Sequence, residues 1–269
     1  MSQQKNILMK MNRFNTNLFI GLMLAAFLFT SCGQGTKKED QESQKQQEMD
    51  QPNTLTEKEK EEGWQLLFNG DNTDGWRGYN DAAFPDSGWV IEDQALRCIG
   101  SGQGEAGGAG GDIVYDQKFK DFHLKLEWKI SKGGNSGIFY LAKEVEDQPI
   151  WQSAPEMQVL DNERHIDATL GDSRMAGALY DLIAPEPQNT KPAGEWNQVE
   201  IMVYQGTVVH RMNGEKILEY HLGTDQWKEM VKKSKFSEYE DFGKYREGYI
   251  GLQDHGNDVW FRNIKLKKL

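Results

Sequence analysis

The sequence predicts an all-β domain in which two antiparallel sheets pack face to face, accompanied by one short helix. Three observations support this fold class. Apolar and polar residues alternate along many short segments, glycine is far more frequent than proline (28 against 7 in 269 residues), and a single segment has the signals of a helix. Short alternating strands separated by glycine turns are typical of a β-sandwich.

The clearest strand is Phe122–Ile130, where five apolar residues point to one side and four polar residues to the other. The C-terminal segment alternates in the same way, and a change of phase at Asn263 predicts a bulge. Asn213-Gly214 predicts a tight hairpin turn, because both residues tolerate positive φ angles. Further strands are predicted at 64–68, 89–92, 112–115, 137–141, 157–160, 178–183, 199–203, 207–212, 216–221, 249–253 and 259–266.

The predicted helix begins after Thr224, whose hydroxyl can cap the first turn. Asp225 lies in that first turn, and Lys232 and Lys233 lie near the other end. This charge distribution agrees with the helix dipole.

The first 32 residues have the pattern of a bacterial export signal. Basic residues precede an apolar run at 18–29, which is too short to cross a bilayer. The small residues before Cys32 resemble a lipoprotein processing box. We therefore predict a lipoprotein signal peptide at 1–32, lipid attachment at Cys32 and a membrane-anchored location in the bacterial cell envelope. The alternative is ordinary signal cleavage that leaves Cys32 unmodified.

Residues 33–62 contain almost no apolar side chains, so they are predicted to form a disordered tether. The folded domain is then expected at 63–269. The chain has 31 basic and 42 acidic residues, and its net charge of −11 argues against a nucleic-acid partner. Two cysteines exclude a disulfide scaffold, and Cys98 is predicted to be buried in a strand.

Polar residues at strand ends, several beside glycines, mark a candidate ligand site. The outer face of a curved sheet can hold a polar ligand, and Asp254 next to His255 can orient the imidazole. Asn135 has an alternative role in a glycine turn, and Glu127 one in a cross-strand ion pair. The candidates are Glu127, Asn135, Glu156, Gln158, Asp161, His165, Trp196, Gln253, Asp254 and His255.

The common catalytic and nucleotide-binding motifs are missing from the sequence, including HExxH, GxSxG, paired CxxC motifs and the P-loop. The glycine-rich stretch at 100–111 has no helix after it, so it is interpreted as a loop flanking a site. The remaining histidines, His123, His210 and His221, are expected to be solvated or structural. The acidic composition is compatible with a divalent cation but identifies no ligand set.

Six motifs, in order along the chain, resemble the 3-keto-disaccharide hydrolase domain family. They are WQLLFNGD at 64–71 with Gly75-Trp76, GNSGIFY at 134–140, EMQVLDN at 156–162, AGEWN at 193–197, GLQDHG at 251–256 and VWFRNI at 259–264. The resemblance implies a concanavalin-like jelly roll, often in a bacterial lipoprotein. It also implies a small carbohydrate substrate, namely a glycoside oxidised to a 3-keto sugar.

The chemistry implied by the resemblance is β-elimination, after which water adds back to give net hydrolysis. A ketone at the third carbon acidifies the neighbouring proton, and a base removes it. We assign Glu156 as the base and His255, oriented by Asp254, as the acid or enolate stabiliser. A divalent cation in place of one of these stabilisers is an open alternative. The other candidates, Glu127, Asn135, Gln158, Asp161, His165, Trp196 and Gln253, are assigned as sugar contacts.

Three alternatives remain open at this stage. Paired carboxylates can displace the leaving group directly, as in ordinary glycosidases. The same sandwich also suits a non-catalytic carbohydrate-binding module or a laminin-G-like adhesion domain. Whether the reaction ends at the elimination product or at the hydrolysis product is also open.

Overall fold

The computed structural model describes residues 51–102 and 108–269, and within them it contains two antiparallel sheets packed face to face. The larger sheet has the order β11-β10-β9-β6-β13-β4-β3, with β1 also paired to β13, and the smaller has the order β2-β5-β12-β7-β8. The strands are β1 Trp64–Leu66, β2 Trp76–Gly78, β3 Trp89–Glu92, β4 Ala95–Cys98, β5 Ile113–Tyr115, β6 Phe122–Ile130, β7 Asn135–Ala142, β8 Glu156–Leu160, β9 Asn197–Tyr204, β10 Thr207–Met212, β11 Glu215–His221, β12 Tyr249–Leu252 and β13 Val259–Lys268.

The predicted pattern of strands is confirmed for most of the chain. β6 has the predicted bounds and alternates buried and partly exposed residues. The β13 register shifts between Arg262 and Lys265, and Asn263 at the bulge has φ 54°. Asn213 and Gly214 both have positive φ at the β10–β11 turn. Cys98 is fully buried in a strand, β4, as predicted, whereas β2 was not predicted.

The predicted strand at 178–183 is wrong. This segment turns back on itself, so that Leu179 pairs with Ile183 in an isolated bridge, and Asp181 takes a positive φ of 58°. The prediction failed because apolar residues in a buried turn have the same composition as a short strand.

Two α-helices occur in the described residues, where one was predicted. The predicted one, α2 (Asp225–Lys232), begins at the Thr224 cap as expected. The additional one, α1 (Glu57–Glu61), begins at an N-terminal capping box formed by Thr56 and Glu59. Four short 3₁₀ turns complete the helical content of the described residues. None of the described helices is long and apolar enough to span a membrane.

The ordered domain starts before the predicted boundary at residue 63. Asn53 is buried, and it exchanges backbone-to-side-chain hydrogen bonds with Asn263 at the bulge of β13 (2.6 and 2.8 Å). Lys265 of β13 contacts Glu59 of α1 at 2.9 Å. The tether prediction is therefore wrong for 53–62, because polar side chains dock this segment without apolar burial. The predicted signal peptide, lipid attachment at Cys32 and first part of the tether lie outside the described residues and stay predictions.

A polar network crosses the apolar core between the two sheets. Because the carbonyl of Gly177 can only accept, His210 donates to it through Nδ1 (3.1 Å). The other ring nitrogen, Nε2, then accepts from the Tyr140 hydroxyl (2.9 Å), which in turn accepts from Tyr220 (2.6 Å). His210 is fully buried, and burial lowers its pKa from 6.5 to about 4.

We predict that the neutral form of His210 makes the fold sensitive to acid. The unfolded chain protonates this histidine below about pH 6.5, whereas the folded chain does so only near pH 4. The free energy of unfolding should therefore fall by about 3 kcal/mol from this residue alone as the pH drops between those values. Urea titrations of the wild type and His210→Gln at pH 7.5, 5.5 and 4.0 measure this contribution as a difference between the two proteins. His221→Gln, at an exposed position, is the control. An equal pH dependence in all three proteins would contradict the prediction.

Candidate active site

A cleft of about 360 Å³ opens on the outer face of the smaller sheet. Along β8, Met157 and Val159 belong to the core between the sheets. Glu156 and Gln158 therefore face the opposite side, because strand side chains alternate. The cleft is lined by Asp112, Trp151, Glu156, Tyr180, Lys235, Phe236, Tyr239, Gln253, Asp254 and His255. The structure thus brings Glu156 together with the Gln253–His255 motif, as expected from the sequence.

The carboxyl group of Glu156 lies over a glycine of the neighbouring strand. Gly137 of β7 pairs with Gln158 of β8. A Cβ atom on Gly137 would collide with the Glu156 side chain. The amide of Gln158, oriented with its nitrogen toward these oxygens, donates to Glu156 Oε1 (3.1 Å) and to the Ser136 carbonyl (3.0 Å). Gln158 therefore positions the carboxyl group.

The pKa of Glu156 is raised from 4.5 to about 8, chiefly because burial disfavours its charged form. Glu156 is only 7% exposed. The positive charge of Lys235 opposes the rise, whereas the negative charges of Asp112 and Asp167 add to it. A carboxyl group with a pKa near neutrality is suited to proton transfer.

Asp112, immediately before β5, is a second carboxyl group of the cleft with a raised pKa. Burial raises the pKa of Asp112 to about 7, and the hydrogen bond that it accepts from the backbone of Asp254 (2.9 Å) opposes this rise. Sequence reasoning treated Asp112 only as the start of a strand. No local signal distinguished it from other aspartates at strand ends.

The carboxylate of Asp254 holds the glycine-rich loop against the cleft. It accepts hydrogen bonds from the backbone nitrogens of Gly110, Gly111 and Gly256, each at 3.0 Å. Gly108 leaves no room for a side chain next to this carboxylate. The loop therefore flanks the site, as predicted, over its described residues. That Asp254 also orients His255 stays a prediction.

Asn135 lies next to the imidazole of His255, with its Nδ2 atom 3.4 Å from Nε2. Among the described residues, no donor binds the buried side-chain oxygens of Asn135 and Gln253. Buried acceptors without a donor are uncommon in folded proteins. Of the two residues, Gln253 lines the cleft, so its oxygen is suited to receive a hydrogen bond from a hydroxyl group of a polar ligand.

Three aromatic residues, which sequence reasoning missed, form one wall of the cleft together with Lys235. Trp151 and Tyr239 meet edge to face at 5.0 Å, and Phe236 follows Lys235 in a 3₁₀ turn, Lys235–Glu238. Tyr180 also lines the cleft and donates its hydroxyl proton to Asp167 (2.9 Å). These residues come from turns without alternation, so the sequence pattern gave no signal of their position.

Glu127 and Trp196 were predicted to contact the sugar, but the structure does not bring them to this cleft. Glu127 lies on the outer face of the larger sheet, where it accepts from Arg262 (2.7 Å). The Arg262 guanidinium also stacks 4.0 Å from the Trp196 ring. The ion-pair alternative is therefore correct for Glu127. Alternation identified an outward-facing side chain without specifying which sheet carries it.

Asp161 and His165 are buried, but neither lines the cleft. Asp161 accepts from the backbone nitrogen of Gly133 (2.7 Å), and His165 Nδ1 accepts from the nitrogen of Asp167 (3.1 Å). Both residues shape the loop that carries Asp167. Their contribution is indirect, because Asp167 in turn holds Tyr180 at the cleft.

No group of three or more His, Cys, Asp or Glu side chains in residues 51–102 and 108–269 is arranged to hold a metal ion. In the cleft, both oxygens of Asp254 already accept backbone hydrogen bonds. The cation compatible with the composition therefore has no identified ligands in this part of the chain.

Comparisons with known proteins agree with this fold. Residues 63–267 match the family described as the 3-keto-alpha-glucoside-1,2-lyase-like domain. A Bacteroides thetaiotaomicron protein named 3-keto-disaccharide hydrolase is 51% identical over 230 residues, which cover 77% of this chain and 79% of that protein.

Two crystal structures from Parabacteroides distasonis, both described as candidate glycosyl hydrolases, have the same fold. One is 33% identical with a TM-score of 0.74, covering 81% of this chain and all of that one. The other is 24% identical with a TM-score of 0.58, covering 77% and 99%. The β-sandwich agrees with the predicted jelly roll. By its family match and its 51% identical relative, the chain belongs to the 3-keto-alpha-glucoside-1,2-lyase-like family.

Proposed function

We propose that this protein cleaves the glycosidic bond of 3-keto glycosides such as 3-keto-disaccharides, by β-elimination followed by hydration. The observation that carries the proposal is a buried carboxyl group with a raised pKa, that of Glu156, in the same cleft as the imidazole of His255. The family and the name of the 51% identical relative support the substrate class. A pure binding module has no need of a buried carboxyl group with a raised pKa, so an enzyme is favoured.

In the first step, the ionised Glu156 removes the proton on C2 of the sugar. This proton is acidic because the C3 ketone accepts the electrons of the broken C–H bond and becomes an enolate. The same burial that raises the pKa of Glu156 makes its carboxylate a stronger base than an exposed one.

In the second step, the enolate re-forms the ketone, a double bond forms between C1 and C2, and the bond from C1 to the glycosidic oxygen breaks. His255 supplies a proton to the departing oxygen. Water then adds across the double bond, with its oxygen at C1 and its proton at C2. Glu156 releases the proton it removed to solvent and His255 takes one up from solvent, so both groups return to their starting states. The sum is one glycoside plus water giving a 3-keto sugar and a free alcohol.

We predict that Glu156→Gln and His255→Ala each lower kcat/KM for a 3-keto glucoside by at least about 100-fold, since each removes a proton-transfer group. Chromatography of the released aglycone measures the rate. Glu195→Gln, at an exposed position, is the matched control and should act like the wild type. Near wild-type rates in both cleft variants, with thermal unfolding showing that they fold, would refute the assignment.

A second prediction separates elimination from direct displacement. In D₂O, elimination and hydration place deuterium on C2 of the released sugar, whereas displacement at C1 leaves the C2 hydrogen in place. Mass spectrometry of product quenched at early times reads this out. The same sugar incubated without enzyme corrects for spontaneous exchange. Released sugar without excess deuterium would exclude β-elimination.

The ionisation of Glu156 predicts a specific pH dependence. Because the base must be unprotonated, the rising limb of kcat/KM against pH should have its midpoint near pH 8, the pKa of Glu156. The negative charge of Asp112 raises that pKa, so Asp112→Asn should move the rising limb to lower pH. Steady-state rates from pH 5.5 to 9.5 test both statements. A limb that is unmoved in Asp112→Asn would argue against Glu156 as its origin.

A further inference from the structure

The described lining of the cleft has more acidic than basic side chains. Asp112, Glu156 and Asp254 contribute carboxyl groups, whereas Lys235 is the single lysine or arginine among the lining residues. An enolate formed in this cleft would be repelled by ionised carboxylates. The proposed reaction therefore needs a positive group close to the ketone oxygen.

Lys235 is held in a defined place beside the cleft. The 3₁₀ turn that begins with Lys235 is capped by the Ser234 hydroxyl, which accepts from the backbone nitrogen of Phe236 (3.1 Å). The Lys235 ammonium lies 4.1 Å from the centre of the Tyr180 ring. Burial lowers the pKa of Lys235, whereas contact with the face of the aromatic ring and the negative charge of Asp181 favour its charged form.

The Lys235 ammonium does not form a close ion pair with a carboxylate of the described residues. Its nearest carboxylate contact in the described residues is Asp181 at 3.7 Å, and Asp181 already accepts from Arg174 at 2.7 Å. The Lys235 side chain keeps 42% of its surface exposed. Its ammonium is therefore available to a ligand in the cleft.

Two neighbouring hydrogen-bond donors, on Tyr180 and Gln158, already have partners. The Tyr180 hydroxyl donates to Asp167, and the Gln158 amide nitrogen donates to Glu156 and to a backbone carbonyl. His255 is the proton donor for the leaving group in the proposed mechanism. Because Lys235 is the single lysine or arginine among the lining residues, its charge makes it the group best suited to stabilise the enolate.

We propose that Lys235 is a catalytic residue whose ammonium binds the C3 ketone oxygen of the substrate and stabilises the enolate. This inference rests on the proposed function. The step forms no covalent bond to the enzyme: the C2 proton passes to Glu156, and the electron pair moves to the ketone oxygen, where Lys235 donates a hydrogen bond. When the leaving group departs, the electrons return and the hydrogen bond weakens.

The experiment compares Lys235→Met, Lys235→Arg and the wild type on one 3-keto glucoside. Because the interaction is strongest in the transition state, Lys235→Met should lower kcat by about 100- to 1,000-fold while KM changes little. Lys235→Arg retains the charge and should keep more activity than Lys235→Met. Lys232→Met, at an exposed position on α2, is the control. Exchange of the substrate C2 hydrogen in D₂O should fall in parallel with cleavage.

Other outcomes would overturn the inference. A wild-type kcat in Lys235→Met would mean that another group stabilises the negative charge of the enolate. A rise in KM at constant kcat would assign Lys235 to substrate binding alone. Substrate-dependent trapping on Lys235 by borohydride would show an imine in place of an ammonium contact. A wild-type protein that leaves the 3-keto glucoside intact would instead remove the proposed function itself.

Discussion

The site depends on the burial of one carboxyl group on the outer face of the smaller sheet. Glu156 is accommodated there because its neighbour on β7 is Gly137, which has no side chain to occupy the same space. Burial makes the neutral form of the acid favourable near neutral pH, and Gln158 fixes its orientation. Packing therefore determines the chemical property on which the proposed reaction is built.

The hydrogen-bond network around His210 in the core contacts the segment that packs along β8, the strand that carries Glu156. The segment at 176–180 is hydrogen-bonded along β8, with Gly177 and Ala178 bonded to Gln158 and Tyr180 bonded to the Glu156 carbonyl. His210 binds the Gly177 carbonyl from the other sheet. The two sheets are thus connected through the same segment that carries Tyr180 into the cleft. A rigid backbone behind a catalytic group preserves its geometry during the reaction.

The sequence was sufficient for the sheets and for the centre of the site, because both leave local patterns. Alternation located β6 and β13, and clustered polar residues located Glu156 and His255. The sequence could not locate Lys235 or Tyr180, which reach the cleft through turns whose paths are set by distant packing. It also could not predict that residues 53–62 would dock, since a reciprocal amide pair such as Asn53–Asn263 has no signature within either segment.

Glutamates on the outer faces of the two sheets differ in whether a basic side chain is paired with them. This difference explains why their proton affinities differ. On the larger sheet, Glu127 is paired with Arg262, so the negative charge is compensated at 2.7 Å. On the smaller sheet, the buried Glu156 has no basic group within ion-pair distance among the described residues, and Lys235 acts on it only from farther away. A neighbouring cation stabilises the charged form of a carboxylate and so lowers its proton affinity. A buried carboxylate without such a cation retains a high proton affinity. The same pattern of alternating glutamates therefore gives an ion pair on one face and a proton-transfer group on the other.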